Sequence, residues 1–409
     1  MTGKSKPLIY TDLEVTGMAS DGLGIARREG LVVFIENTVT GDRVDARVIK
    51  KKSAYRLARP IHFHQYSHLR IEPLCEHFGT CGGCKWQNIA YSTQVEHKFR
   101  QVEDALRRIA KLEMPEPDPL IGAPEPYYYR NKLEYTFSHK AWLSEAEIQS
   151  GTSFENRNAL GFHIPGRFDK VLDIQHCHLQ DKIGNAIRLF VKDFANRIGL
   201  PFFDLQKQTG VLRTLMLRNT LAGDWMFCLS VTEASDRVFS LLDAVHKQFP
   251  QITSLIYTVN TKRNDTLEGL DLVTYKGLPY LTEQMEELQF RIAPRSFYQT
   301  NPVQAYVLYK LVREFAGIRE GEVVYDLYTG AGTIALFVAR QAAKVIGLEY
   351  VEDAVRDARV NAKLNGIENA SFFAGDIKDI LVPQFMEKHG APDLIITDPP
   401  RAGMHEAVC

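Results

Sequence analysis

A chain of 409 residues with 45% hydrophobic and 24% charged residues has ordinary globular composition, which excludes a disordered polypeptide and is long enough for two or three domains. No run approaches the roughly 18 uninterrupted apolar residues of a membrane helix, and the N-terminus MTGKSKPLIY lacks a signal-peptide core, so no membrane association is expected and the cytoplasm is the default compartment. A formal net charge of −1 names no partner by itself, but its distribution is uneven.

Residues 8–60 read as short strands punctuated by Gly17, Gly22, Gly24, Gly30 and Gly41. LVVFIENTV (31–39) is apolar and β-branched, and DRVDARVIKK (42–51) alternates around Val44, Ala46 and Val48. Several short strands in so few residues predict a small closed barrel, OB-like in size, a shape that often binds oligonucleotides. Residues 1–70 carry 12 Lys/Arg against 7 Asp/Glu. The run Arg47, Lys50, Lys51, Lys52, Arg56, Arg59 contains no acid. It reads either as a solvated strand end or as a patch that tracks phosphates, with Tyr55 available for stacking.

Residues 61–93 form a cysteine loop, with the spacing Cys75-x5-Cys81-x2-Cys84 and Gly82–Gly83 between the last pair. Three cysteines this close in an intracellular protein point to metal rather than to disulfides. A fourth ligand has to come from elsewhere, and Cys177 in DIQHCHL is the leading candidate. Spacing alone leaves zinc and an iron–sulfur cluster about even. The histidines 62, 64, 68, 176 and 178 read as surface donors, because four thiolates already close a site.

From about Ser92 to Lys111 the apolar residues Val95, Phe99, Val102, Leu106 and Ile109 recur at helical spacing. Five prolines between 115 and 126 predict a stiff connection. Residues 127–290 are β-rich, with the runs KLEYTFS, KVLDI, WMFCLSV and SLIYTV, interrupted by helices near 182–197 and 236–248. Asn301–Pro302 caps a helix over about 302–316. Strand and helix then alternate through VVYDLY, IALFVARQA, KVIGLEY, EDAVRDARVNAKLNG, ASFFAG and DLIITDPP, which predicts a doubly wound, Rossmann-like α/β sheet.

The turn Asp326–Gly332 follows the first of these strands and opens a helix, and Glu349 ends the next strand, 23 residues after Asp326. Glu349 is placed to bind both hydroxyls of a ribose, and Asp376, after the third strand, to meet an adenine amino group. Gly330-x-Gly332-x-x-Ala335 also fits the dinucleotide fingerprint. A carboxylate at Asp326 would repel a pyrophosphate but suits the cationic groups of S-adenosylmethionine, which favours that cofactor over NAD. Asp398-Pro399-Pro400-Arg401 places an acid on a rigid loop at the sheet's switch point. Arg401 stands where amine methyltransferases carry an aromatic, so methylation of an exocyclic amine is disfavoured.

Together these segments resemble the RNA (uracil-5-)-methyltransferases, and specifically their 23S rRNA members, collinearly over almost the whole chain. The N-terminal barrel is similar to a TRAM domain (1–60). CEHFGTCGGCKWQ with Tyr91, Gln94 and Lys98, and also YRNKLEYTFS and LGFHIPGRFDKVLDIQHCHL, are similar to the α+β central domain (61–290). PRSFYQTNP, DLYTGAG and DPPR are similar to the class I methyltransferase domain (291–409). The resemblance implies a [4Fe–4S] cluster on Cys75, Cys81, Cys84 and Cys177. It implies S-adenosylmethionine contacts from Gln299, Tyr328, Glu349 and Asp398, and a monomer acting on 23S rRNA, with tRNA or a catalytically incompetent RNA-binding homologue as alternatives. Its mechanism is addition of a cysteine thiolate to carbon 6 of a flipped-out uracil, methyl transfer from the sulfonium to carbon 5, and removal of the carbon-5 proton by a base as the thiolate leaves carbon 6. The family's nucleophile lies in a Ser-Cys-Asn-Pro segment after a fifth strand, and its basic glutamate lies further on. Neither occurs here. Cys409 reads as part of the helix after the Asp-Pro-Pro-Arg loop, so the catalytic cysteine is expected beyond it and the α/β domain is expected to be incomplete at its C-terminus.

Overall fold

Val44 and Ala46, alternating with charged neighbours, require an extended strand with one apolar face. In the computed structural model, which describes residues 7–151 and 156–408, this strand is central to a six-stranded barrel. Its strands are β1 (Ile9–Glu14), β2 (Gly17–Met18), β3 (Gly24–Arg28), β4 (Leu31–Ile35), β5 (Arg43–Lys51) and β6 (Tyr55–Gln65), in the order β1-β5-β6-β4-β3-β2. Only β4 and β6 run parallel. The two end strands of that order are joined by Val15 and Thr16 alone, so the sheet has to curl back on itself. Tyr10, Leu13, Val33, Ile35, Val44, Ala46 and Ala58 fill its inside. A fully buried aliphatic side chain contributes roughly 1.5–3 kcal/mol.

Residues 66–90 have no helix and no strand ladder. The segment is fastened to the barrel through Asp42, fully buried, which accepts from the Ser67 amide at 2.9 Å and twice from the Arg70 guanidinium. Trp86 and Ile89 pack with Met18 and Val39 in a second small core. Helix α1 (Tyr91–Asp104) then runs into one π-helical turn, Ala105–Ile109. The apolar stripe expected here is not core: Val102 and Ile109 are 56% and 82% exposed.

The central strands and helices are β7 (Lys132–Ser138), α2 (Glu145–Gln149), β8 (Ala159–Ile164), β9 (Arg167–Asp173), α3 (Lys182–Arg197), β10 (Leu212–Asn219), β11 (Trp225–Val231), α4 (Asp236–Gln248), β12 (Ile252–Val259) and β13 (Val273–Gly277). β13-β12-β11-β10-β7-β8 lie side by side. β11 and β12 are parallel because α4 carries the chain back across the sheet. A hairpin, β14 (Leu281–Met285) and β15 (Leu288–Ile292), leads to α5 (Pro302–Ala316), whose Asn301 cap accepts from the Gln304 amide at 3.0 Å.

The C-terminal layer alternates β16 (Val323–Leu327), α6 (Thr333–Val338), β17 (Lys344–Glu349), α7 (Glu352–Leu364), β18 (Ala370–Ala374), α8 (Ile377–Ile380), α9 (Pro383–His389) and β19 (Leu394–Thr397). Its four strands are all parallel, in the order β18-β17-β16-β19, as the doubly wound pattern predicted. The order reverses between β16 and β19, so a crevice forms beyond their carboxyl ends. The chain makes two compact units. One comprises Met1–Pro126, Trp142–Glu145 and Phe162–His178; the other comprises Tyr127–Ala141, Ala146–Gly161 and Leu179–Cys409. Among the described residues no helix is long and apolar enough to cross a membrane. Cys409 lies outside the described residues.

Candidate functional site

The loop after β16 turns through left-handed conformations at Tyr328, Gly330 and Gly332, with φ of 67°, 56° and 79°. At Gly332 a Cβ would meet Ala358 and Phe372 at 3.0–3.1 Å, so strain and crowding together favour glycine. Glu349, at the end of β17, accepts from the Gly330 amide at 3.0 Å and from the Val351 amide at 2.9 Å. One carboxylate therefore fixes both the glycine turn and the start of the following segment.

Asp326 does not present its carboxylate to a ligand, contrary to the sequence-based expectation. It is 1% exposed, and Oδ2 accepts from the Thr329 hydroxyl at 2.6 Å and the Ala335 amide at 3.0 Å. The side chain is drawn inward because its own loop and the first turn of α6 offer those two donors. Burial pushes the Asp326 carboxyl up to about 7; the two hydrogen bonds oppose the rise, and the charges of Asp398 and Glu349 add to it.

Gln299 meets the Asp-Pro-Pro-Arg loop: its Nε2 lies 3.4 Å from Asp398 Oδ2. Two residues that the sequence did not single out hold it there. Asn131, just before β7, donates from Nδ2 to the Gln299 carbonyl at 3.0 Å and from its amide to the Thr300 carbonyl at 2.9 Å. Arg218, buried in β10, donates to the carbonyls of Ala293 and Ser296 at 3.0 Å each. Burial brings its guanidinium down to about 10. The available signal was an arginine inside the apolar run LRTLMLRN. Gln299, Tyr328, Glu349 and Asp398 are thus gathered along the carboxyl ends of β16, β17 and β19. Asp376, beyond the edge strand β18, caps α8 and is paired with Lys378, which holds its carboxyl below the usual range.

In the other unit, tight turns wrap the cysteine loop: the amides of Phe78 and Cys81 donate to the carbonyls of Cys75 and His77 at 3.0 and 2.8 Å. None of Cys75, Cys81, Cys84 and Cys177 is in a disulfide. Burial pushes the Cys81 thiol up to about 11 and the Gly83 amide pulls it down, while the charges of Cys84, Cys177 and Cys75 add to the rise. Among the described residues, no group of three or more His, Cys, Asp or Glu side chains is placed to hold a metal ion. His64 serves the barrel instead, 2.7 Å from Asp45, and the His77 ring accepts from the Gln175 amide at 2.9 Å.

The basic run spans the end of β5, the turn after it and the start of β6. Arg47, Lys50, Lys51 and Lys52 are exposed. Arg56 is turned inward, bonding the carbonyls of Lys52 and Tyr55 to close that turn, and Arg59 pairs with Glu36 at 2.7 Å.

The parallel sheet, its glycine turn and the acid ending the second strand define a class I methyltransferase fold, here preceded by a TRAM barrel. Residues 10–61 match the TRAM domain family and residues 318–406 a methyltransferase domain family. The chain is 50% identical over 395 residues to an RNA methyltransferase of Bacteroides thetaiotaomicron, covering 96% of this chain and 87% of that one. It is 50% identical over 404 residues to one of Porphyromonas gingivalis, covering 97% and 86%. The fold is shared with the tRNA (uracil-54, C5)-methyltransferase of Pyrococcus abyssi, solved with S-adenosyl-L-homocysteine, at a TM-score of 0.71 and 24% identity over 97% of this chain and 85% of the other. The chain belongs to the RNA methyltransferase family that includes the Bacteroides and Porphyromonas proteins.

Proposed function

We propose that this protein directs methylation of carbon 5 of a uridine in RNA, with S-adenosylmethionine as donor and 23S rRNA as substrate. A single observation carries the proposal: Gln299 and Asp398 meet at the switch point of a methyltransferase sheet, on a loop that continues into Arg401 rather than an aromatic. The mouth is acidic, with Asp398 and Glu349 close enough to raise the Asp326 carboxyl, which suits a cationic cofactor and not a pyrophosphate. S-adenosylmethionine supplies an activated methyl on its sulfonium. Glu349 offers its remaining lone pairs to the ribose hydroxyls, Tyr328 and Gln299 line the approach, and Asp376 lies on the adenine side. Asp398 is kept at the transfer site by the two prolines and by Gln299.

Cys75, Cys81, Cys84 and Cys177 would hold a [4Fe–4S] cluster: the four thiols lie within one unit, and the Gly83 amide donates to the Cys81 sulfur at 3.4 Å. The cluster supplies a cross-link between distant parts of the chain, since methyl transfer needs no electron. Lys50, Lys51 and Lys52 with Arg47 would track RNA phosphates; the inward-turned Arg56 would shape their turn. We place the protein in the cytoplasm as a monomer of three domains, 1–60, 61–290 and 291–409.

Transfer RNA is the second reading, favoured by the shared fold of the tRNA-modifying archaeal enzyme. Mass mapping of 5-methyluridine in rRNA and tRNA from a deletion strain and its complemented parent separates the two. Loss at one rRNA uridine, restored on complementation, is expected; unchanged 5-methyluridine in both RNAs would sink the proposal.

A further inference from the structure

In the barrel unit, a cavity of about 560 Å³ opens between the end of β6 and the cysteine loop, lined in part by Asn37, Tyr66, Arg70, Glu72, Phe78 and Asn88. Tyr66 rests one ring face on Phe63, with centroids 4.7 Å apart and planes at 17°, yet its side chain is 64% exposed. The Arg70 guanidinium lies 5.3 and 5.4 Å from those two rings. It is held there by two bonds to buried Asp42, at 2.9 and 2.6 Å, and one to the Asn37 carbonyl at 3.0 Å. A flat stack thus ends on an unfilled aromatic ring. Asn88, 7% exposed, also lines the cavity, and its Oδ1 finds no hydrogen-bond partner.

The chemistry of the lining selects the occupant. Arg70 is neutralised by Asp42, and Glu72 adds a carboxylate, so the cavity is not a phosphate site. An aromatic platform beside a carboxamide that both accepts and donates matches a planar heterocycle with polar edges. We propose that this cavity takes one unstacked nucleobase of the RNA substrate, stacked on Tyr66 and bonded along its edge by Asn88. The proposal rests on RNA being the substrate. It places a base contact at the opposite end of β6 from the basic turn, because Arg43 pairs with Gln65 while Lys51 pairs with Arg56.

The test uses the full-length chain and short single-stranded RNAs carrying 4-thiouridine at each position in turn, with adducts mapped by mass spectrometry after irradiation. One RNA position should cross-link to Tyr66 or Phe78. Tyr66→Ala should abolish that adduct and weaken binding roughly five- to 150-fold, the range for loss of one base–aromatic stack, whereas Tyr66→Phe should keep both. Asn88→Leu should change which base is preferred at that position. RNA binding with adducts only elsewhere, and unaltered by Tyr66→Ala, overturns the cavity while leaving RNA as the substrate. Absence of RNA binding by the parent overturns both.

Discussion

At the residue scale the deciding feature is a contest between burial and hydrogen bonding at Asp326. Two donors favour the carboxylate, but complete burial wins and the folded-state carboxyl titrates near 7. The unfolded chain loses this proton near 3.8, so between about 3.8 and 7 the folded state holds one more proton than the unfolded. Stability from this group is therefore lost as pH rises through that window. Asp326→Asn, which can still accept from Thr329 and Ala335, should flatten that part of the pH dependence in urea titrations, whereas an unchanged slope would show that Asp326 ionises normally. Glu349 gives a sharper ligand test. Its loss removes hydrogen bonds to a charged acceptor, typically worth about 1.5–3 kcal/mol, so Glu349→Ala should weaken S-adenosylmethionine binding roughly ten- to hundredfold by calorimetry. The same variant also frees the Gly330 amide, so Glu349→Gln, which keeps an acceptor for it, should fall between the two.

At the scale of elements, the β5–β6 hairpin and the cysteine loop each do what their residues allow only in combination. Lys50, Lys51 and Lys52 are exposed at the end of β5 and in the turn that Arg56 closes from inside. Neutralising the three lysines should weaken RNA binding and reduce the slope of log affinity against log salt by up to about 0.7 per lost contact, with cofactor affinity unaltered. An unchanged slope in the salt titration would make this an ordinary solvated face. In the cysteine loop, raised thiol pKa values mean that ligation has to displace protons. Anaerobically purified protein should be brown with about four irons per chain, and Cys177→Ser should lose most of that iron and lower the melting temperature. Stoichiometric zinc without iron would refute the cluster.

At the scale of the molecule, local pattern carried a long way. The runs KLEYTFS and WMFCLSV are strands over their full lengths, and the helices over 182–197, 236–248 and 302–316 stand where periodicity and the Asn301–Pro302 cap put them. Such elements are specified by side chains one to four residues apart, so the sequence by itself determined them, along with the glycine turn, the cysteine spacing and the strand–helix alternation of a methyltransferase sheet. What periodicity could not settle was direction and company. The stripe Val95–Ile109 has helical spacing but remains substantially exposed at Val102 and Ile109. Only the tertiary structure decided that Asp326 turns into its own loop, that Arg56 turns into its hairpin, and that Arg218 and Asn131 pin the segment bearing Gln299. The reason is physical: a buried polar side chain goes wherever unpaired backbone or side-chain groups are left by the packing, and those groups come from parts of the chain that meet only after folding.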